Sequence, residues 1–110
     1  MTIVEITRKN NHITQVECDG HTSYGVEGED IVCAGLSSVV QTAVLGLMSV
    51  VGIDVGLVRD DERGYLKFSI PEGLDEVQVI QCDAILNTML CGISDLHEGF
   101  SDFIELEVKG

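Results

Sequence analysis

Hydrophobic and polar residues alternate through the first twenty positions, a pattern typical of β-strands. Asn10 and Asn11 separate two such segments, and asparagine favours tight turns. The pattern therefore predicts a β-hairpin that ends at Gly20, followed by a glycine-bearing loop over residues 20–29. Its aligned positions are Val4 and Ile6 in the first strand and Thr14, Val16 and Cys18 in the second.

Apolar residues then recur at intervals of three and four, the period of one face of a helix. Asp30 is a favourable N-cap residue and Gly52 suits a C-terminal stop, so a helix is predicted between them. The predicted inward face is Val32, Leu36, Val39, Val40, Ala43, Leu47 and Met48. The opposite face is apolar as well, at Val44, Val50 and Val51. A helix with two apolar faces is covered on both, which predicts a homodimer.

The second half repeats the two patterns in the order strand, strand, helix, strand. Two alternating segments flank a charged turn from Asp60 to Gly64, and Pro71 ends the second of them. They carry Ile53, Val55 and Leu57, and then Leu66, Phe68 and Ile70. A second helix is predicted from about Asp75 to Leu96, with an inward face of Val79, Cys82, Leu86, Met89, Leu90 and Ile93. The last strand carries Ile104, Leu106 and Val108.

The predicted element order is thus ββαββαβ. Because hairpins dominate this order, we expect an α+β fold with a mostly antiparallel sheet and both helices packed on it. The 110 residues suit one domain that spans positions 1–110. Hydrophobic residues make up 45% of the chain but aromatic residues only 5%, so the predicted core is aliphatic.

Composition also bears on location and partners. No uninterrupted apolar run reaches the ~20 residues of a membrane span, and the first residues lack the basic and apolar regions of a signal peptide. We therefore expect a cytoplasmic protein without a membrane partner. Six basic residues against nineteen acidic ones, a net charge of −13, argue against direct nucleic-acid binding. The acidic balance suits a basic protein substrate, or serves solubility alone.

The cysteines and histidines do not suggest a metal or another cofactor. Cysteines at positions 18, 33, 82 and 91 form no C-x-x-C pair, and histidines at 12, 21 and 97 add no ligand-like spacing. Thiols stay reduced in the cytosol. Cys18, Cys82 and Cys91 are therefore interpreted as small buried residues.

Cys33 is a candidate nucleophile. If Asp30 caps the helix, Cys33 lies at about the third helical position, where free N–H groups and the helix dipole favour a thiolate. The same N–H groups could bind the oxyanion of an acyl-transfer intermediate. His21 follows a strand end and could act as the proton shuttle of a Cys–His pair. Gly20, Gly25 and Gly28 would let the loop between His21 and Cys33 move. A cysteine early in a helix is more often a core residue, so spacing alone leaves both interpretations open.

The wider motif favours the nucleophile. Gly20-His21-Thr22, followed across the loop by Asp30-Ile31-Val32-Cys33-Ala34-Gly35, resembles the ribosomal-processing cysteine protease (Prp) family of bacteria. The resemblance implies that Cys33 is the nucleophile, His21 its partner, and Asp30 and Ser37 supporting residues. It also implies a homodimer that removes a short N-terminal extension from a large-subunit ribosomal protein. The family commonly has alanine where this chain has Thr22, which could alter the substrate groove slightly.

Two other functions remain open at this point. A ribosome-associated binding or assembly factor would suit a small acidic α+β protein, with Cys33 merely structural. A thiol enzyme of another kind, peroxidatic or acyl-transferring, is less favoured because a peroxidatic cysteine usually needs a resolving cysteine close by. No other cysteine is near Cys33 in sequence.

Overall fold

The computed structural model describes residues 1–20 and 29–110, and for residues 29 and 30 the backbone alone. Their elements follow the predicted order ββαββαβ. In chain order they are β1 (Thr2–Lys9), β2 (His12–Asp19), α1 (Glu29–Gly46), β3 (Val58–Asp60), β4 (Tyr65–Ser69), α2 (Glu76–Gly99) and β5 (Ile104–Lys109). A π-helical segment, Leu47–Val51, continues α1.

The five strands form one sheet in the order β3-β4-β2-β1-β5. Three of its pairings are antiparallel and the fourth, between β1 and β5, is parallel. The sheet is therefore mostly antiparallel, as predicted. Asn10 and Asn11, with φ angles of 54° and 67°, make the tight turn between β1 and β2, and asparagine tolerates this left-handed conformation better than most residues.

The core lies between the helices and one face of the sheet. Val4 and Ile6 on β1 and Val16 on β2 are fully buried, whereas Ile3, on the opposite face of β1, is 41% exposed. Strand alternation thus places the predicted residues inside. Aliphatic side chains from both helices complete the core, and among the described residues Phe68 is the fully buried aromatic residue in it.

The first helix differs from the prediction near its start and ends where predicted. Its described part starts at Glu29, so Asp30 lies within the helix instead of capping it, and Cys33 is the fifth helical residue described instead of about the third. Gly52 ends the helix, as predicted, with a left-handed φ of 80° and an N–H that donates to the Leu47 carbonyl. That wider hydrogen-bond spacing rotates the last residues.

The predicted faces of this helix are wrong at two positions, of which Met48 lies in the π-helical segment and Val44 precedes it. Met48 was predicted to face inward but is half exposed, and Val44 was predicted to face outward but is buried. The rest of the inward face is confirmed for Val32, Leu36 and Val40, all nearly fully buried. A periodicity of 3.6 cannot anticipate a π-helical segment.

The predicted strand at Ile53, Val55 and Leu57 is wrong. Ile53 and Val55 are buried, but β3 begins only at Val58 and has three residues. Gly56 has a positive φ of 56°, and its N–H donates to the Asp54 carboxylate at 2.9 Å. This local turn replaces an extended strand.

The second helix confirms the predicted N-terminus and extends past the predicted end. Asp75 caps it by accepting from the Gln78 N–H at 2.8 Å, while the Gln78 side chain accepts from the Asp75 N–H. Cys82, Leu86, Met89 and Ile93 are its buried face. Residues Ile31–Val51 and α2 are each long and apolar enough to cross a membrane by length and composition, but each contributes a buried stripe to the shared core, as core helices of globular domains do.

Candidate active site

A cleft of about 190 Å³ opens where the sheet, α1 and the β3–β4 turn meet. Thr2 lines it from the start of β1, and Cys18 and Gly20 line it from the end of β2. The helix side is formed by Cys33, Leu36, Ser37, Val40 and Gln41. The opposite wall is formed by Arg59, Asp61, Gly64, Tyr65 and Leu66. Three separate parts of the chain thus enclose one thiol-bearing cleft.

The Cys33 thiol is held between helix and sheet. The residue is partly buried, and its Sγ lies 3.3 Å from Oγ1 of Thr2. Thr2 itself is 5% exposed. A helical side chain tilts toward the helix N-terminus. Cys33 lies one turn after Glu29, the first helical residue that the structure describes.

Gly20 brings the end of β2 against the start of β1. Its φ of +132° is a conformation that side chains rarely adopt, and a Cβ there would lie 2.3 Å from the Met1 carbonyl oxygen and 3.0 Å from the Thr2 Cα. Only a residue without a Cβ permits this approach. The glycine of the Gly20-His21 motif is thus required by the backbone at the cleft.

The wall opposite Cys33 is tied to β2 by polar contacts. The Tyr65 hydroxyl donates to the Glu17 carboxylate at 2.6 Å, and this hydrogen bond, together with burial, raises the pKa of Tyr65. The Arg63 guanidinium donates to Asp19 at 2.6 Å and lies 4.5 Å above the Tyr65 ring. Its contact with Asp19 raises the pKa of Arg63. These pairs fix the Tyr65 ring beside the cleft.

The other three thiols are chemically distinct from Cys33. Burial raises the pKa of Cys18 to about 12, with a smaller contribution from Glu17, so its thiol stays protonated near neutral pH. Burial also raises the pKa of Cys82. Both residues are buried, as predicted, whereas the prediction that Cys91 is buried is wrong because it is exposed on α2. Cys91 does not line the cleft.

The structure describes part of the predicted site. Cys33, Ser37 and Gly20 all line the cleft, and Ser37 accepts a hydrogen bond from the Gln41 side chain. His21, Thr22, Gly25 and Gly28 lie outside the described residues, as does the Asp30 side chain. His21 is bonded directly to Gly20. Its predicted role, the supporting roles of Asp30 and Ser37, and the predicted loop movement remain predictions.

Potential metal-ligating side chains do not cluster in the described part of the chain. No cluster of three or more histidine, cysteine, aspartate or glutamate side chains within it is placed to hold a metal ion. The polar side chains that line the cleft with Cys33 are instead those of Thr2, Ser37, Gln41 and Tyr65 and the Arg59–Asp61 pair.

Comparison with known proteins identifies the family. The family model described as Cysteine protease Prp matches residues 1–105. The chain belongs to this family. The ribosomal processing cysteine protease Prp of Staphylococcus aureus is 32% identical over 111 residues, which cover 99% of this chain and 100% of that protein. The chain is therefore a cysteine protease, and a binding factor without activity is disfavoured.

Solved structures of the S. aureus family member agree in fold. One, an essential ribosomal processing protease Prp in complex with a substrate peptide, has a TM-score of 0.85 and 28% identity, over 99% of this chain and 100% of that one. Another, in complex with a covalently linked product peptide, has a TM-score of 0.84 and 29% identity, again over 99% and 100%. The α+β fold is thus that of the Prp family.

Two features of the cleft had not been predicted from the sequence. No sequence pattern marks Thr2 as a site residue, because its place beside Cys33 depends on the parallel pairing of β1 with β5 and on the close approach of Gly20 to β1. Tyr65 looked like an ordinary strand residue. Its charged neighbours Arg63 and Asp61 stood in the predicted turn, but only the fold brings that turn to the cleft.

Proposed function

We propose that this family member is an endopeptidase that removes a short N-terminal extension from a large-subunit ribosomal protein precursor, with Cys33 as nucleophile and His21 as proton shuttle. The observation that carries the proposal is the partly buried Cys33 thiol in the cleft that Gly20 also lines. The S. aureus relative is a ribosomal processing protease with a substrate peptide complex, which supports a peptide substrate here. The acidic surface, with a net charge of −13, suits a basic ribosomal protein.

Cys33 is proposed as the nucleophile because the four cysteines differ in burial and in access to the cleft. Cys18 lines the same cleft but is buried and stays protonated, with a pKa of about 12. Cys82 is buried in the core, and Cys91 lies exposed outside the cleft. Cys33 therefore combines access to a cleft with a position near the start of a helix, where a thiolate is favoured. The covalent product complex of the S. aureus relative supports a covalent mechanism.

The proposed reaction has two halves. The Cys33 thiolate attacks the scissile carbonyl carbon, and the peptide C–N bond breaks as the leaving amine takes a proton from the His21 imidazolium. A thioester joins the N-terminal fragment to Cys33. The neutral imidazole then takes a proton from water, whose oxygen attacks the thioester, and release of the carboxylate restores the thiolate. Asp30 and Ser37 are proposed to support this pair.

We also propose a cytoplasmic homodimer in which residues 1–110 of each subunit form a single domain. A groove of about 640 Å³ runs between α1 and α2 on the side away from the sheet. Val50 lines this groove and is 70% exposed, and Leu45 and Met48, which are close to it in sequence, are 63% and 50% exposed. Burial of such side chains against a second copy would stabilise a dimer by about 25 cal/mol for each Å² of apolar surface.

The experiment uses a ribosomal protein precursor that carries its N-terminal extension. The precursor is incubated with wild-type protein and with Cys33→Ala, and its intact mass is followed. We expect loss of the extension only with wild type, while Cys33→Ala keeps the wild-type circular dichroism spectrum. Cleavage by Cys33→Ala at the wild-type rate would overturn the assignment of the nucleophile. An intact precursor in both samples would overturn the proposed substrate.

A further inference from the structure

The Thr2 hydroxyl is a buried polar group with an unusual partner. Thr2 is 5% exposed, and its Oγ1 lies 3.3 Å from Sγ of Cys33. Among the described residues, this sulfur is the hydrogen-bond partner of the hydroxyl. A buried hydroxyl without a good partner destabilises a fold, and an uncharged thiol is a weak acceptor. The hydroxyl is therefore better satisfied by a thiolate than by a thiol.

The backbone that carries this hydroxyl is held from two sides. The Thr2 N–H donates to the Phe103 carbonyl at 2.9 Å, and Thr2 is paired with Ile104 on the parallel strand β5. The missing Cβ of Gly20 allows β2 to pack against the Thr2 Cα. Since sheet contacts fix Thr2 while α1 fixes Cys33, the distance between hydroxyl and sulfur is set by the fold and not by the substrate.

We infer that Thr2 is a positioning residue, which orients the Cys33 sulfur and stabilises its thiolate by donating the hydroxyl hydrogen to it. The inference rests on the proposed role of Cys33 as nucleophile. Either atom of a thiol–hydroxyl pair can donate, but a thiolate has no proton, so in the reactive state the hydroxyl must be the donor. Hydrogen bonds to a charged partner are about twice as strong as neutral ones.

This arrangement also orients the sulfur, so that its attack on a substrate is directed into the cleft. With the hydroxyl on the sheet side of the sulfur, a lone pair is left to face the cleft that both residues line. Once the sulfur has become part of a thioester it is a poor acceptor, so the hydrogen bond favours the free thiolate over the acylated form. Thr2 therefore acts on the reaction through Cys33, and no contact with the peptide is required.

The test compares Thr2→Val, which replaces the hydroxyl by a methyl group of similar size, with wild type and Thr2→Ser. We expect Thr2→Val to lower kcat/KM about tenfold, mainly through kcat, because a hydrogen bond to a charged group is lost. The pH at which alkylation of Cys33 by iodoacetamide reaches half of its maximal rate should be higher in Thr2→Val than in wild type. Thr2→Ser keeps the hydroxyl and should restore both properties.

Thr14→Val is the matched control, because the Thr14 hydroxyl is also partly buried but donates to the Thr7 carbonyl at 3.3 Å in the hairpin. It should leave the alkylation profile unchanged. If Thr2→Val does not fold, Thr2→Ser against Thr2→Ala isolates the hydroxyl in the same way. A wild-type alkylation profile in the variant without a hydroxyl would overturn the inference. Inactivity of Cys33→Ala would still support the proposed nucleophile, so the two failures are distinguishable.

Discussion

Replacing Gly20 by alanine should disturb the cleft through the backbone alone. The added Cβ would lie 2.3 Å from the Met1 carbonyl oxygen, whereas ordinary contacts begin at 3.4 Å. The start of β1 must therefore move by about 1 Å, and overpacking of this kind costs about 1–3 kcal/mol. A side chain at a φ of +132° adds strain of about 1–3 kcal/mol.

Together these effects predict a loss of about 4 kcal/mol in the free energy of unfolding. This is a large share of the stability of a small domain, which is about 5–15 kcal/mol in total. Urea denaturation followed by circular dichroism measures the change. With an m-value of about 2 kcal/mol/M, the midpoint should fall by about 2 M. Because Thr2 moves with the strand, the folded fraction should also cleave peptide more slowly.

Gly99→Ala is the control for this experiment. Gly99 lies in the last turn of α2, and no atom would lie within 4 Å of an added Cβ. Alanine favours helices by about 1 kcal/mol over glycine, so this variant should be as stable as wild type or slightly more stable. A midpoint for Gly20→Ala within about 0.3 M of wild type would refute the argument that the close approach to Met1 requires glycine.

Two further predictions concern Cys18 and the exposed helix face. Because burial raises the pKa of Cys18 from 9.0 to about 12, the folded protein keeps this proton while the unfolded chain loses it between those values. Its contribution to stability is thus complete below pH 9 and falls by about 1.4 kcal/mol for each pH unit above it. Urea denaturation at pH 8.5 and 10.5 should show a smaller loss of stability for Cys18→Ala than for wild type, and equal losses would contradict the assigned burial effect. Val50→Asp should convert the dimer to a monomer in sedimentation velocity, since Val50 is 70% exposed on the proposed interface; a wild-type protein that is itself monomeric would exclude the interface.

Sequence periodicity predicted the elements whose side chains alternate or repeat without interruption. The hairpin of β1 and β2, the inner face of α2 and the start of α2 near Asp75 follow directly from such patterns. The pattern failed where the backbone departs from regular geometry. The π-helical hydrogen bond from Gly52 to Leu47 exposes Met48, and the turn at Gly56 replaces a strand.

The candidate site likewise contains residues that the sequence predicts and residues that it does not. Gly20 and Cys33 belong to the two segments of the family motif, so the chain alone predicts them as site residues, and both line the cleft. Thr2 could not, because its contact with Cys33 joins positions 31 residues apart and depends on the pairing of two strands from opposite ends of the chain. Burial likewise distinguishes Cys18 from Cys33, although both line one cleft. Contacts of this kind are set by topology, which local patterns do not specify.

The assignment of Cys33 as nucleophile is tested most directly by locating the covalent intermediate. Wild-type protein is mixed with a substrate peptide and quenched in acid within the first turnover, and the modified tryptic fragment is then identified by tandem mass spectrometry. The account predicts that the N-terminal product is attached to Cys33 as a thioester. Attachment to Cys91 or another residue, or cleavage that proceeds at the wild-type rate in Cys33→Ala, would contradict it.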